Sequence, residues 1–144
     1  MARILAMALN CPYVAEGEPC TSCDSCRSIS AGVDLDVVEL DAASHRGIDD
    51  VRSLIGSASC APIRAKVKVY IIDEVHMLTR EAFNALLKTL EEPPAHVKFV
   101  MATTEPQRIP ETVASRLQRF DFRPISEADV VRRLRQICQQ EGIE

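Results

Sequence analysis

Apolar positions along this chain alternate between two rhythms. Over residues 67–74, VKVYIIDE, they run almost unbroken and are rich in β-branched types, as in a strand covered on both faces. VKFVMATT (97–104) predicts another buried strand, and VDLDVVELDAAS (33–44) predicts a strand around Val37, Val38 and Leu40. Between these runs the spacing becomes helical. Ile4, Leu5, Ala8 and Leu9 share one face of a helix over 2–10, and Ile48, Val51, Leu54 and Ile55 do so in GIDDVRSLIGSAS. In TREAFNALLKTLEEPP the face is Phe83, Leu86, Leu87 and Leu90, with Thr79 as N-cap and Pro93–Pro94 as the stop. IPETVASRL predicts a short helix opened near Pro110, QRFDF a short strand, and ISEADVVRRLRQICQQ a last amphipathic helix capped by Ser126. No internal repeat or low-complexity segment interrupts the order.

Strands alternating with helices predict an α/β fold with a mostly parallel sheet, whose ligands bind beyond the C-terminal ends of the strands. Asp73–Glu74 and Thr103–Thr104 fall at two such ends. A chain of 144 residues, 47% apolar and 26% charged, suits one domain with a core and excludes a disordered one. The net charge of −4 excludes a globally basic surface, so any DNA contact is local or shared with partner subunits. No apolar run nears the ~18 residues of a membrane span, so no membrane partner is expected. MARILAMALN has no small-residue cleavage site and reads as an amphipathic helix, which makes the expected location cytoplasmic.

The six cysteines add chemistry to this outline. Cys11, Cys20, Cys23 and Cys26 form C-x8-C-x2-C-x2-C, and four thiolates close a tetrahedral zinc site with no open position. Pro12, Gly17 and Pro19 let the longer gap loop back. A disulfide pair or a redox motif is the alternative; a redox pair would not need the other two cysteines nearby. Cys60 and Cys138 stand alone and read as small core residues.

VYIIDE delivers two carboxylates to the sheet edge. One can hold Mg²⁺ through water and the second can orient or deprotonate an attacking water, the Walker B arrangement of nucleotide hydrolases. The plainer reading is a pair of acids favoured at a helix N-terminus. His76 reads as a neighbour that packs or hydrogen-bonds. Thr104 could touch a γ-phosphate or the attacking water, or simply be a turn residue. Arg116, near a helix end, could stabilise a transferring phosphoryl group, or be a surface arginine.

ELDAASHRGIDDVR, YIIDEVHML, FNALLKTLEEPPAHVKFVMATTEPQRIP and SRLQRF, with the cysteine module, resemble the gamma/tau subunit family of bacterial DNA polymerase III over essentially the whole chain. The resemblance implies an AAA+ ATPase of the P-loop NTPase type that opens the sliding clamp and loads it on primed DNA. The implied partners are other clamp-loader subunits (delta, delta-prime and further gamma/tau copies). It implies Asp73 and Glu74 as the Walker B pair, with Mg-ATP as cofactor. It also implies Thr104 as first sensor, Arg116 as an arginine finger acting on the adjacent subunit's ATP, and the four cysteines as structural zinc ligands. The family's serine-arginine-cysteine motif stands here as Ser115-Arg116-Leu117, which keeps the arginine.

No G-x-x-x-x-G-K-[ST] occurs in the sequence. In the resembled family that loop, which cradles the phosphates, immediately precedes the helix matching Ala2–Asn10. The expectation is a fragment: residues 1–123 as a nucleotide-binding domain lacking its first strand and P-loop, with a zinc module at about 11–28, and 124–144 as the start of a helical lid. Loss of a central strand would leave neighbouring strands with unpaired edges. Such a chain alone is expected to be inactive. A non-hydrolysing delta-prime-type subunit is the alternative, against which stands the retention of both Asp73 and Glu74. A stand-alone zinc-binding module would not need the Walker-B-like strand.

Overall fold

Three strands, β1 (Val37–Asp41), β2 (Lys68–Asp73) and β3 (Val97–Met101), pair in parallel in the order β1-β2-β3. The register sets Asp41 beside Asp73, and Ile72 beside Met101. The computed structural model describes residues 1–143; Glu144, the last residue of the expected 124–144 unit, lies outside them. β2 lies between two neighbours, and its first five residues are buried. That is why its sequence shows no polar alternation.

Successive β2 side chains nevertheless enter different cores. Tyr70 and Ile72 join Val97 against α3 (Ile48–Ala58) and α4 (Arg80–Glu91), where Val51, Leu54, Phe83, Leu86 and Leu90 are buried. Tyr70 stacks on Phe99 with centroids 5.5 Å apart, and its hydroxyl bonds Ser57 Oγ at 2.8 Å. Thr79 caps α4, its Oγ1 accepting the Ala82 N–H at 3.2 Å. Val69 and Ile71 point the other way. They meet Val37, Ala6, Met7, Ile29, Cys11 and Cys26, which belong to or adjoin β1, α1 (Ala2–Asn10) and α2 (Asp24–Ala31).

Four expectations need correction. On α1 the buried face is Ala6, Met7 and Asn10, while Ile4 and Leu5 are exposed. Small side chains let this helix approach the sheet, and Asn10 satisfies the backbone it meets: Oδ1 accepts from Lys66 and Val67 N–H, and Nδ2 donates to Val67 O. β3 is only partly buried, because it is an edge strand whose outer side has no partner among the described residues. QRFDF forms no strand, having no neighbour to pair with, and Phe120 and Phe122 are exposed. Cys60 is exposed and Cys138 only partly buried, so neither is a core residue.

α2 was not evident from apolar spacing. Cys23 caps its start, and it stops at Gly32, whose φ of 71° suits glycine and where a Cβ would lie 3.2 Å from the Arg3 guanidinium. After α5 (Glu111–Ala114), whose Val113 is buried, residues 118–126 carry no regular structure. The last helix, α6 (Glu127–Glu141), is capped by Ser126 as expected but buries no residue.

Candidate metal centre and strand-end carboxylates

The cysteine cluster is assembled by two short pieces of chain. Cys11 follows the last turn of α1, Cys23 and Cys26 sit on the first turn of α2, and Cys20 lies between them. All four Sγ atoms lie within 4.8 Å of one another, and all four cysteines are free thiols. A tetrahedral site with metal–sulfur bonds of ~2.3 Å has edges of ~3.8 Å, so no pair of sulfurs would need to close by more than about 1 Å.

Backbone N–H groups already point at the sulfurs. Tyr13 and Cys20 donate to Cys11 Sγ at 3.3 and 3.4 Å, Cys23 to Cys20 Sγ at 3.4 Å, and Cys26 to Cys23 Sγ at 3.4 Å. Such donors stabilise thiolate, the form that binds metal. The N–H groups of Ser22 and Cys23 bring Cys20 down to about 6. Burial, together with bonds to Cys23 and Cys11, pushes Cys26 up to about 12. The donor set, its closeness and its N–H···S bonds fit a metal ion.

At the other end of the sheet, Asp73 closes β2 and Glu74 follows in the left-handed region at φ 45°, ψ 46°. This backbone turn is uncommon for a non-glycine residue and swings the Glu74 side chain toward β3. Glu74 N–H donates to Asp73 Oδ1 at 3.0 Å. Thr104 donates its hydroxyl to Glu74 Oε2 at 3.1 Å, with its N–H 3.4 Å from the same oxygen. Asp73, Glu74 and Thr104 are therefore one cluster beyond the C-terminal strand ends, although β3 stops at Met101 and Thr104 lies in the bend that follows, not at the end of a strand running to 104.

Arg116 lies elsewhere. Its guanidinium pairs with Glu91 at the end of α4, Nη2 to Oε1 at 2.5 Å, and also donates to Thr112 O. Its side chain keeps about a third of its exposure, at 34%, and it makes no ion pair with Glu74.

Four polar residues that apolar spacing could not single out are nearly fully buried: Asn10, Asp36, Lys68 and His76. Asn10 is described above. His76 packs beneath Glu74, as the sequence suggested, with Nδ1 bonded to Thr103 Oγ1 at 2.9 Å. Asp36, 1% exposed, accepts the N–H groups of Ile63, Arg64 and Ala65 at 2.8, 2.7 and 2.9 Å. Burial alone would raise its pKa; those N–H groups, with Lys68 beyond them, outweigh burial and hold it below the usual carboxylate range.

A three-stranded parallel sheet with helices on both faces, acids just past the strand ends and a four-cysteine module between α1 and α2 make this an α/β fold. A family model described as "DNA polymerase III, delta subunit" matches residues 1–126, and the chain belongs to that family.

Its relatives are tau and gamma subunits of the same polymerase. It is 50% identical to DNA polymerase III subunit tau of Bacillus subtilis over 99% of its length, and 48% identical to that of Escherichia coli over 99%. It is also 48% identical to DNA polymerase III subunit gamma of Buchnera aphidicola over 100%. The chain spans 25%, 22% and 40% of those proteins respectively.

Among solved structures, a gamma subunit-related protein of Thermotoga maritima superposes with a TM-score of 0.62 at 29% identity, covering 74% of this chain and 38% of that one. A mutant of Thermotoga maritima RuvB gives 0.56 at 16% identity, covering 81% and 39%, a likeness of fold alone. No helix among the described residues is long and apolar enough to cross a membrane.

Proposed function

We propose that this chain is the part of a bacterial clamp-loader ATPase subunit that carries the metal and water end of its ATP site. The observation that carries this reading is the joining of Asp73, Glu74 and Thr104 at adjacent strand ends, in a chain 50% identical to a tau subunit. Mg²⁺ bound with ATP supplies neutralisation of phosphate charge. Asp73 would hold the metal, Glu74 would orient and deprotonate the attacking water, and Thr104 would contact the γ-phosphate. Arg116 exchanges Glu91 for the nucleotide of a neighbouring subunit.

Cys11, Cys20, Cys23 and Cys26 hold one zinc, a closed site that organises α1 and α2 rather than reacting. Residues 1–123 belong to the nucleotide-binding domain and 124–144 begin a helical lid, consistent with an α6 that buries nothing of its own. Delta, delta-prime and further gamma/tau copies, the sliding clamp and primed DNA are the partners, in the cytoplasm.

The test uses a version extended upstream through a phosphate-binding loop and assembled with partner subunits on primed DNA. Glu74→Gln should keep ATP binding and lower turnover by roughly 10²–10⁴, the usual weight of a general base. Undiminished turnover would remove Glu74 from the mechanism. The 144-residue chain alone should not turn over ATP, because positioning of the phosphates supplies most of the catalysis. The delta-subunit description of the family model favours a second reading, a non-hydrolysing delta-prime-type subunit. In that case the extended wild type itself would be inactive.

A further inference from the structure

Of the three histidines, only His76 is buried. It sits on the 3₁₀ turn Val75–Met77, directly after Glu74. That turn is stitched to the end of β3: Val75 N–H donates to Ala102 O at 3.0 Å, and Ala102 N–H donates to Ile72 O at 2.9 Å. The ring is thereby held between two segments that each carry a carboxylate. Nδ1 bonds Thr103 Oγ1 at 2.9 Å and lies 3.2 Å from Glu74 Oε2. Nε2 lies 3.3 Å from Glu105 Oε1, an oxygen that also accepts from Arg108 Nη1 at 3.0 Å. Thr103 Oγ1 in turn accepts the Glu105 N–H at 3.0 Å.

A glutamate at an exposed strand end has three side-chain torsions to lose before it can act on one water molecule. Here Thr104 and His76 both approach Oε2, and Oε1 has no protein partner among the described residues. One oxygen is anchored and the other is left to work. Placement of this kind governs rate, since an error of about 1 Å in a reacting group can lower turnover about 100-fold.

We propose that His76 is a positioning residue, which fixes the Glu74 carboxylate and ties it through Thr103 and Glu105 to the segment after β3. The proposal rests on the reading of Glu74 as the residue acting on water. A neutral imidazole has one N–H, so it donates toward the Glu74 side through Nδ1 or toward Glu105 through Nε2. Asparagine places its amide nitrogen near the position of Nδ1, and glutamine near that of Nε2. The two amides therefore separate the two contacts.

In the upstream-extended assembly, His76→Ala should lower kcat for ATP by about 10- to 100-fold with KM changed less than about twofold. His76→Asn should restore most of kcat, and His76→Gln should not. Equal kcat in the Ala and Asn variants, whether high or low, would show that the ring only fills space and would overturn the proposal. Should His76→Ala fail to fold, Thr103→Val removes the hydroxyl that holds Nδ1, at a position that is not fully buried. A several-fold loss of kcat at constant KM is then expected, and unchanged kcat would sink the idea. Glu74→Gln is measured alongside. If it turns over normally, the Glu74 reading falls and the role of His76 with it; if it is inactive while His76→Ala is normal, only the role of His76 falls.

Discussion

Tyr70 and Ile72 point from β2 into a core of leucine and aromatic side chains, whereas Val69 and Ile71, on the opposite face, meet alanine, methionine and two buried cysteines. The first face is covered by α3 and α4, eleven and twelve residues long, packed closely against each other. The second is covered by α1 and α2, nine and eight residues long, neither of which carries a large apolar stripe of its own against the sheet. Helices this short are marginal without tertiary support. One face closes by burying hydrocarbon. The other buries less and gathers four thiols between its two helices, close enough for a metal ion to cross-link them in place of core area, as small modules widely do.

The largest effect should come from removing the metal that the cysteines are proposed to hold, because structural zinc contributes on the order of 10 kcal/mol to the module that binds it. Chelation, or Cys26→Ser, should strip hydrogen-exchange protection from α1 and α2 while β2 and α4 keep most of theirs. Simultaneous loss on both faces would mean that they fold as one unit and would break the contrast. Zinc well below one equivalent in reduced, intact protein would remove its basis altogether.

Next in size is Leu86→Ala, which empties part of the α4 core; such truncations cost about 3 kcal/mol. Denaturant unfolding should show the loss with zinc content unchanged. Zinc lost in step with Leu86 would show that the cysteine face depends on the hydrocarbon face.

The hydrocarbon face was the legible one in the sequence. Continuous β-branched runs marked β1 and β2, and Phe83, Leu86 and Leu90 at helical spacing behind the Thr79 cap marked α4. Residue spacing also put the cysteines together, and set Asp73–Glu74 at a strand end, with Thr104 in the bend beyond the next one. The reading faltered where burial does not follow hydrophobicity. α1 turns Ala6, Met7 and Asn10 inward because a close approach to the sheet suits small side chains and an amide that bonds the backbone. α2, DSCRSISA, has too few apolar residues to announce a helix, and its start is set by Cys23 and its end by Gly32. QRFDF has strand composition, but a strand exists only beside another, and its apolar residues stay exposed. Glu74's left-handed turn and the burial of His76 depend on tertiary contacts that no local pattern encodes.

The smallest expected effect falls at the seam between the two faces. Asn10, from α1, and Asp36, at the entry to β1, both fasten the segment 63–67 that leads into β2. Asp36 also has its carbonyl engaged, accepting Val69 N–H at 2.8 Å, so its backbone is fixed from the sheet side. Asp36→Asn keeps the size of the side chain but sets an NH₂ group among backbone N–H donors. The loss should be about 2 kcal/mol, the order of one or two hydrogen bonds to a charged acceptor. The pH dependence separates this from simple repacking. Because the folded pKa of Asp36 lies below its unfolded value of ~3.9, its contribution is complete above about pH 5 and falls away as the pH drops through the folded pKa. Wild type and Asp36→Asn should therefore differ in unfolding free energy by a constant amount near neutrality and converge in acid. A difference that stays constant down to pH 3 would show that the carboxylate's charge plays no part in holding the seam.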